Sequence, residues 1–452
     1  MQRRRFELGL IALFIIGGLA VAGELDFRAG VPAIERRSLL NGMRVWFFEQ
    51  QTENCPFVLM IENGAAFDPA DKWGATYLMA KCLERNLDLK NYRAEFTSRG
   101  IRMETQVDWD ALYVVGEAPP EHLEFALLTL GEILVRPEFP ETSFRELRDA
   151  AVQALQEEQE NLYRRSDLLL RRRLFGFHPY AHPVQGEPEA LENLYLRDLK
   201  IQQRRLLLPN QSILAVAYSG DREYLFRRLS RRWGAWVRAD AAPFTFRRAE
   251  PPAGPAVFPL DGGPADGILV QCGWLVPERR DRQYLAFRVL EEYLTLTLPD
   301  LAEEILGTSQ VRASVRVEAR KMHGVLQLTV EVPPDRAVPF IEAVVETLER
   351  VRCGEVDEAR LEEAKRLVLL DYWQRLEDPR ERLWVVLETD LYDQGSAFLA
   401  TLPQRLDRIT VRWFSAALED DLAPRSLVAV VAPPDANVLQ GLEKLGASPD
   451  LN

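Results

Sequence analysis

The sequence has few of the side chains that most often carry enzymatic chemistry. Its 452 residues include only four histidines and four cysteines. The cysteines, Cys55, Cys82, Cys272 and Cys353, form neither a Cys-x-x-Cys pair nor a Cys/His cluster, which excludes the common structural zinc sites. Two of them could pair in an oxidising compartment, but we expect all four to behave as small buried apolar residues.

The chain also lacks an excess of basic residues. Its 56 lysines and arginines face 69 aspartates and glutamates, for a formal net charge of −13. This balance argues against nucleic acid as a bulk partner, because basic side chains are needed to neutralise phosphates. The basic run at 171–173 is interpreted as a solvated helix face. With 47% hydrophobic and 28% charged residues, the chain is expected to fold into two or more domain-sized units.

The N-terminal segment resembles an export signal. Three arginines at positions 3–5 precede an almost wholly apolar run, Leu8–Val21, and residues 20–22 are of the small type that a signal peptidase accepts. Because a membrane span needs about 20 residues, we predict cleavage after Ala22 and no stable membrane span, with a retained anchor as the alternative. No cysteine lies at the cleavage site. The predicted location is therefore the periplasm or the extracellular medium.

Two pairs of segments recur at a single offset. VGEAPPE at 115–121 resembles VEVPPDR at 330–336, and QSILAVAYSGD at 211–221 resembles RSLVAVVAPPD at 425–435. Glu117 and Glu331, and likewise Asp221 and Asp435, lie 214 residues apart. A break followed by a long charged helical segment is also repeated, at 137–170 and 354–391. The chain is therefore predicted to be α+β, with two homologous αβ sandwich halves whose helices cover one face of a mostly antiparallel sheet.

The repeat divides the chain into predicted segments. Residues 1–22 are the signal peptide, 23–239 the N-terminal half, 240–259 a linker, and 260–452 the C-terminal half. The linker contains five prolines and no clean helical period. Two rigid halves on a linker predict a clamshell with a chamber between them.

The opening strands and one long later segment resemble a known family. LLNGMRVWFFEQ at 39–50 and FVLMIENGAAFDP at 57–69 look like its first two strands, and residues 178–221 are similar to its His-Pro-Tyr segment with the following helix and Pro-Asn strand. This is the pitrilysin or insulinase family of zinc metallopeptidases, which includes mitochondrial processing peptidase and the core subunits of the bc1 complex. The resemblance covers nearly the whole mature chain. It implies two halves that close around a peptide.

In active members of that family a glycine leads, after two residues, into His-x-x-Glu-His on a helix. The histidines bind zinc and the glutamate activates water. The matching stretch here is GATYLMAKCL at 74–83, so Tyr77, Ala80 and Lys81 replace the first histidine, the glutamate and the second histidine. Alanine cannot act as a base, and a protonated lysine offers no lone pair. The resemblance thus implies no catalytic residue and no metal in this chain, at three positions expected to face a cleft.

The remaining metal candidates are weak. The family's third ligand, a glutamate on a later helix, falls on Ala154 by helix register and on Glu157 or Glu158 by spacing, and both alternatives stay open. His178 and His182 are four residues apart, but each precedes a proline, which breaks the helix that such a metal site requires. We interpret these two histidines as structural.

In two-chain members, the chain without the zinc motif often supplies an arginine and a tyrosine that grip the substrate backbone. The resemblance places these positions at Leu306 and Ala313, and Arg312 is close but out of register. The pair is therefore expected to be lost.

Three functions follow from these observations. The favoured hypothesis is a non-catalytic partner subunit of an active peptidase of the same family, which alone would hold zinc and would cleave the peptide substrates of the complex. The alternative is a stand-alone binding or assembly protein of the cell envelope that uses the peptidase scaffold. A hydrolase with unrecognised catalytic residues is the third hypothesis. A neighbouring gene for a chain with an intact motif would favour the first.

Overall fold

A computed structural model describes residues 33–49, 53–241, 246–250, 254–419, 421–422 and 426–445. The predicted signal peptide, 1–22, lies outside the described residues. The strands of the first half are β1 (Ile34–Ser38), β2 (Arg44–Phe48), β3 (Cys55–Glu62), β4 (Arg102–Val107), β5 (Ala111–Ala118) and β6 (Ser212–Ala217). Its helices are α1 (Ala75–Leu89), α2 (Arg93–Ser98), α3 (Leu123–Val135), α4 (Glu141–Glu158), α5 (Leu162–Phe175), α6 (Pro188–Glu192), α7 (Leu196–Leu206) and α8 (Arg222–Trp233).

The second half repeats this layout. Its strands are β7 (Ala256–Pro259), β8 (Ile268–Val276), β9 (Arg312–Glu318), β10 (Gly324–Val332) and β11 (Val428–Ala432). Its helices are α9 (Tyr284–Leu306), α10 (Pro334–Arg352), α11 (Glu358–Glu377), α12 (Pro379–Leu391), α13 (Leu402–Asp407), α14 (Val411–Leu418) and α15 (Ala436–Leu445).

Five strands follow the same order in the two sheets, which confirms the tandem repeat, and β1 is an additional edge strand of the first sheet. The first sheet has the order β1-β2-β6-β3-β5-β4 and the second the order β7-β11-β8-β10-β9. In each sheet one pair is parallel, β2 with β6 and β7 with β11, and the other pairs are antiparallel. The repeat residues Asp221 and Asp435 each accept backbone N–H bonds from the first turn of the helix after the last strand, α8 and α15.

Each sheet is covered on both faces. In the first sheet, the side chains of one face, such as Val45 and Phe47, pack with α1, α3 and α8 of the same half. Those of the opposite face, such as Trp46 and Phe48, lie in a core shared with the second half. Every residue of β6, β8 and β11 is buried, so these strands are nearly continuous apolar runs, interrupted only by Ser212 and Gln271.

The second layer over each sheet comes from the opposite half. Helix α12 packs against β3 and β6 of the first sheet, and α5 packs against β8 and β11 of the second. Leu170 and Leu174 of α5 contact Val428 and Val430 of β11 in one apolar cluster. The sequence predicted helices on one face of each sheet, and the second face is closed by this exchange of helices.

The glutamates that revealed the repeat hold these exchanged helices in place. Glu117 on β5 pairs with Arg380 in the first turn of α12. Glu331 on β10 accepts a hydrogen bond from the hydroxyl of Tyr163 in the first turn of α5. Each glutamate therefore ties its own sheet to a helix of the other half, which makes the two halves one interlocked body.

Two predicted segments differ in detail. β7 lies inside residues 240–259 and pairs with β11, so the interpretation of this whole segment as a linker is wrong at its C-terminal end. The prolines there suggested a loop, but proline is tolerated in a short edge strand. Each long charged helical segment is split in two, because Asn161 and Asp378 cap the starts of α5 and α12.

Two findings concern the whole described chain. Among the described residues, no helix has both the length and the apolar character that crossing a membrane requires. Cys55, Cys82 and Cys272 are buried free thiols as expected, whereas Cys353 is exposed after the end of α10.

Candidate functional site

Helix α1 carries Tyr77, Ala80 and Lys81, the three positions that the resemblance matches to the zinc motif, and its start is rigidly fixed. Gly74 has φ of 95°, and a Cβ there would come within 2.6 Å of the Gln185 carbonyl oxygen, so only glycine fits. The N–H groups of Gly74 and Thr76 donate to the buried carboxylate of Asp68, over 2.7 and 2.9 Å. Burial raises the pKa of Asp68 to about 6, although these hydrogen bonds oppose the rise.

The three motif positions do not share one environment. Ala80 is 1% exposed and belongs to the core beneath the first sheet, whereas Tyr77 and Lys81 are half-buried. The expectation that all three face a cleft is therefore wrong for Ala80. The reason is that α1 packs against α3, α4 and α7 as well as β4, so its burial extends beyond the apolar stripe of Leu78, Met79 and Cys82.

Lys81, at the position of the second histidine in the resemblance, is hydrogen-bonded to neighbouring groups. Its ammonium lies 3.2 Å from Oε2 of Glu84 and 3.4 Å from the backbone oxygen of Thr105 on β4. It also lies 5.9 Å from the centre of the Tyr77 ring. A protonated amine has no lone pair and repels a cation, so these residues do not fit zinc.

The third-ligand candidates on α4 do not complete a metal site. Ala154, Glu157 and Glu158 are all exposed. Glu157 accepts a hydrogen bond from Gln153 on its own helix, and Glu158 pairs with Arg164 at the start of α5. In the part of the chain that the structure describes, no group of three or more His, Cys, Asp or Glu side chains is placed to hold a metal ion.

The two histidines of the His-Pro-Tyr segment have structural contacts. His178 accepts the Tyr180 N–H at Nδ1 over 3.2 Å and begins a short 3-10 turn, Pro179–Ala181. Burial lowers the pKa of His178 to about 4, which keeps it neutral. His182 stacks on Trp73 with ring centres 3.9 Å apart, and its Nδ1 lies 3.0 Å from Glu187.

The two positions that the resemblance assigns to the substrate-gripping pair carry apolar side chains, Leu306 and Ala313, which cannot bind a peptide backbone as arginine and tyrosine would. Leu306 is the last residue of α9, and Ala313 lies on β9. Arg312, the out-of-register arginine, is 83% exposed and pairs with Glu331 at 3.2 Å. Tyr163 donates to the same carboxylate from α5, so this tyrosine joins the two halves, whereas the Arg312 pair lies within the second sheet.

Sequence reasoning missed a buried charge cluster where the β4–β5 and β9–β10 hairpins of the two halves meet. Arg320 lies 3.0 Å from Asp108, 3.8 Å from Asp110 and 2.6 Å from Glu318. Arg171 of α5 adds a second cation, 2.6 Å from Glu318. It is 8% exposed, so the interpretation of 171–173 as a solvated helix face is wrong for this residue. Both guanidinium groups lie over the ring of Trp109, at 4.4 and 4.8 Å. We call these six residues the hairpin cluster.

In the hairpin cluster, burial and the neighbouring charges act in opposite directions on the carboxyl groups. Burial raises the pKa of Asp110, Asp108 raises it further, and Arg320 opposes both. Burial would also raise the pKa of Glu318, but Arg171 and Arg320 hold it well below its usual range. One signal in the sequence could have predicted the pairing, namely the acidic Asp-Trp-Asp at 108–110 and the basic Arg-Lys at 320–321 in equivalent hairpins. The arrangement joins the halves and has no open reactive group.

Comparisons with known proteins agree with this geometry. Residues 223–368 match the family model described as the peptidase M16 inactive domain. A Helicobacter pylori protein described as the non-peptidase homolog YmxG is 22% identical over 166 residues, which is 36% of this chain and 38% of that relative. Both comparisons indicate a chain without a metal cofactor.

Solved structures share the fold over most of the chain. The crystal structure of a protease from Helicobacter pylori superposes with a TM-score of 0.80 at 16% identity, covering 89% of this chain and all of that one. A peptidase M16 inactive domain from Pseudomonas fluorescens superposes with a TM-score of 0.77 at 16% identity, covering 89% and 98%. The α+β architecture of two similar halves is therefore that of the M16-like peptidases.

Proposed function

Since this chain is an M16 peptidase homologue that lacks the zinc motif, we propose that it acts as the non-catalytic partner subunit of an active peptidase of the same family. The observation that best supports this proposal is that the Lys81 ammonium is bonded to Glu84 and to the Thr105 carbonyl. This ammonium occupies the place of a metal ligand and has partners on its own helix and on β4. A site built this way supports neither zinc binding nor water activation.

The partner role is supported by what the scaffold has kept. Both halves retain their sheets, and buried contacts such as Arg320 with Asp108 hold them together. A fold of this size that lacks catalytic groups can still act by binding another protein. A stable interface between subunits buries a large surface area, which a scaffold of this size can offer. The partner would bring the zinc, the general base and the peptide chemistry.

We further propose that the complex works in the periplasm or outside the cell. The support is the arginine-led apolar segment Leu8–Val21 with small residues at 20–22. The domain boundaries at 22 and 239 are proposed in the same way, and the end of the linker is moved from 259 to 255, because β7 pairs with β11 of the second half.

The first test uses the purified mature chain, residues 23–452. We expect no stoichiometric zinc by elemental analysis and no cleavage of a mixed peptide substrate, with or without added zinc. One tightly held zinc per chain together with chelator-sensitive cleavage would refute the non-catalytic assignment.

The second test concerns the partner. A C-terminally tagged full-length chain, expressed in its native host and recovered from the envelope fraction, should bring down a chain of the same family that carries an intact His-x-x-Glu-His motif. Near one-to-one stoichiometry is expected, and an unrelated exported protein with the same tag serves as the control. Recovery of unrelated envelope proteins alone would favour the assembly role instead.

A further inference from the structure

Strand β4 is the outer strand of the first sheet and borders only β5. At the hairpin, the Asp108 N–H bonds the Ala111 carbonyl over 2.9 Å. In an antiparallel pair these bonds alternate along the strand, so Gln106 and Glu104 also bond towards β5, whereas the N–H and C=O of Thr105 point outward. Outward groups of this kind on an edge strand are the usual template for adding an extended peptide.

In this chain the outward groups of Thr105 are already bonded. Oε2 of Glu84 accepts the Thr105 N–H over 3.1 Å and its hydroxyl over 3.0 Å. The Lys81 ammonium contacts the same carboxylate oxygen and also donates to the Thr105 carbonyl. Thr105 is 7% exposed as a result. One cation and one glutamate, three residues apart on α1, satisfy both backbone groups.

The second half has a related arrangement at its own edge strand, in which the glutamate bonds the strand and the cation bonds the glutamate. Helix α9 corresponds to α1, and on it Arg288 pairs with Glu291, again three residues further on. The Glu291 carboxylate accepts a backbone hydrogen bond from Val317 on β9, and β9 is the outer strand of the second sheet. The same cation–glutamate pattern therefore recurs in both halves, next to the same strand of the repeat.

We propose that Lys81 and Glu84 form a clamp that closes the β4 edge to extended peptides. An incoming strand would have to displace both side chains from Thr105 and leave the half-buried Glu84 carboxylate without its bonds, which opposes strand addition. A peptide held by a complex would therefore lie on the partner subunit and not on β4 of this chain. The inference concerns one strand edge, and it holds or fails independently of whether a partner exists.

The first test is amide hydrogen exchange at single-residue resolution on the mature chain. In Glu84→Ala, exchange at Thr105 is expected to accelerate about tenfold or more, because one buried hydrogen bond is lost. Glu84→Gln keeps an acceptor oxygen and should retain most of the protection. The Val114 amide in β5 points to β3 by the same alternation and should be unchanged in both variants. Equal exchange at Thr105 in the parent and in Glu84→Ala, or an equal acceleration at Val114, would overturn the clamp.

The second test asks whether the clamp keeps strands out. The probe is a fluorescein-labelled peptide of alternating threonine and valine with terminal lysines, followed by fluorescence anisotropy. Lys81→Ala/Glu84→Ala is expected to bind it at least about tenfold more tightly than the parent, and a version with prolines at alternate positions should not bind. The matched control is Arg85→Ala/Asp88→Ala, which removes another charged pair with the same spacing from α1. Equal binding by the parent and the clamp variant would refute the proposal.

Discussion

Replacement of Arg320 by methionine should severely destabilise the protein. The side chain is 11% exposed and faces Asp108, Asp110 and Glu318. Methionine retains much of the packing on Trp109 but removes the positive charge. Glu318 keeps its cation because Arg171 remains 2.6 Å away. The loss therefore falls on the two aspartates of the β4–β5 hairpin.

The magnitude follows from the burial of these two carboxylates. Asp108 is about one-third exposed, and its pairing contributes about 1 kcal/mol. Asp110 is 1% exposed, and a buried charge that loses its partner costs about 3 kcal/mol or more. That second cost has a ceiling, because protonating a carboxyl with an unfolded pKa of about 3.9 at pH 7 takes about 4 kcal/mol. We expect a loss of about 4 kcal/mol in the free energy of unfolding at pH 7.

The loss should depend on pH in one direction. Burial already raises the pKa of Asp110 in the folded parent, and removing Arg320 raises it further. Between the unfolded and the folded pKa, the folded variant binds a proton that the unfolded chain releases. The stability of the variant therefore falls as pH rises, by up to about 1.4 kcal/mol per pH unit. The deficit relative to the parent should shrink to about 2 kcal/mol at pH 5.

The assay is urea unfolding of the mature parent and variant at pH 5, 6 and 7, followed by far-UV circular dichroism. Arg312→Met is the matched control, because Arg312 lies on β9 of the same hairpin and pairs with a glutamate but is 83% exposed. Its cost should stay below about 1 kcal/mol. A loss of less than about 1 kcal/mol for Arg320→Met, or a deficit that grows as pH falls, would refute this account of the hairpin cluster.

Three further outcomes are expected. Ala80→Glu places a carboxylate in the core and should lower the free energy of unfolding by about 2 kcal/mol or more, measured by thermal unfolding. Tyr77→His should lower it by less, and equal losses would contradict the burial of Ala80. Gly131→Ala brings a Cβ to 2.4 Å from the Trp233 indole nitrogen and should cost about 1–3 kcal/mol, while Gly254→Ala, with open space around it, should change stability by less than about 0.5 kcal/mol. In the native protein a thiol reagent should modify Cys353 alone within minutes, since the other thiols are buried; rapid labelling of a second cysteine would show an opening that the structure lacks.

The repeat was the part of the fold that the sequence predicted best. Glu117 and Glu331 occupy equivalent strands, and Asp221 and Asp435 accept N–H bonds at the start of equivalent helices, so local chemistry preserved the signal. The exchange of helices was not predictable. The apolar spacing of Leu170 and Leu174 shows that one face of α5 is buried, but spacing alone does not say which of two similar sheets it covers.

The assignment of the motif positions stays a prediction, and their environment could not be predicted from the sequence. The resemblance located Tyr77, Ala80 and Lys81 on one helix, and α1 contains all three. Lys81 and Glu84 look in the sequence like an ordinary surface pair at helical spacing. Their partner Thr105 lies 21 residues beyond Glu84 on another element, and only the folded sheet brings it into reach.

The exchanged helices also fix an order of events during synthesis. The first sheet has all its strands once residue 217 has been made, but the helix that covers its second face, α12, ends at residue 391. Until then, apolar side chains such as Trp46 and Phe48, both buried in the finished protein, have no native cover, and such surfaces are prone to aggregate. We therefore expect an N-terminal half produced alone to aggregate more readily than the whole chain, because α12 is missing from its second face.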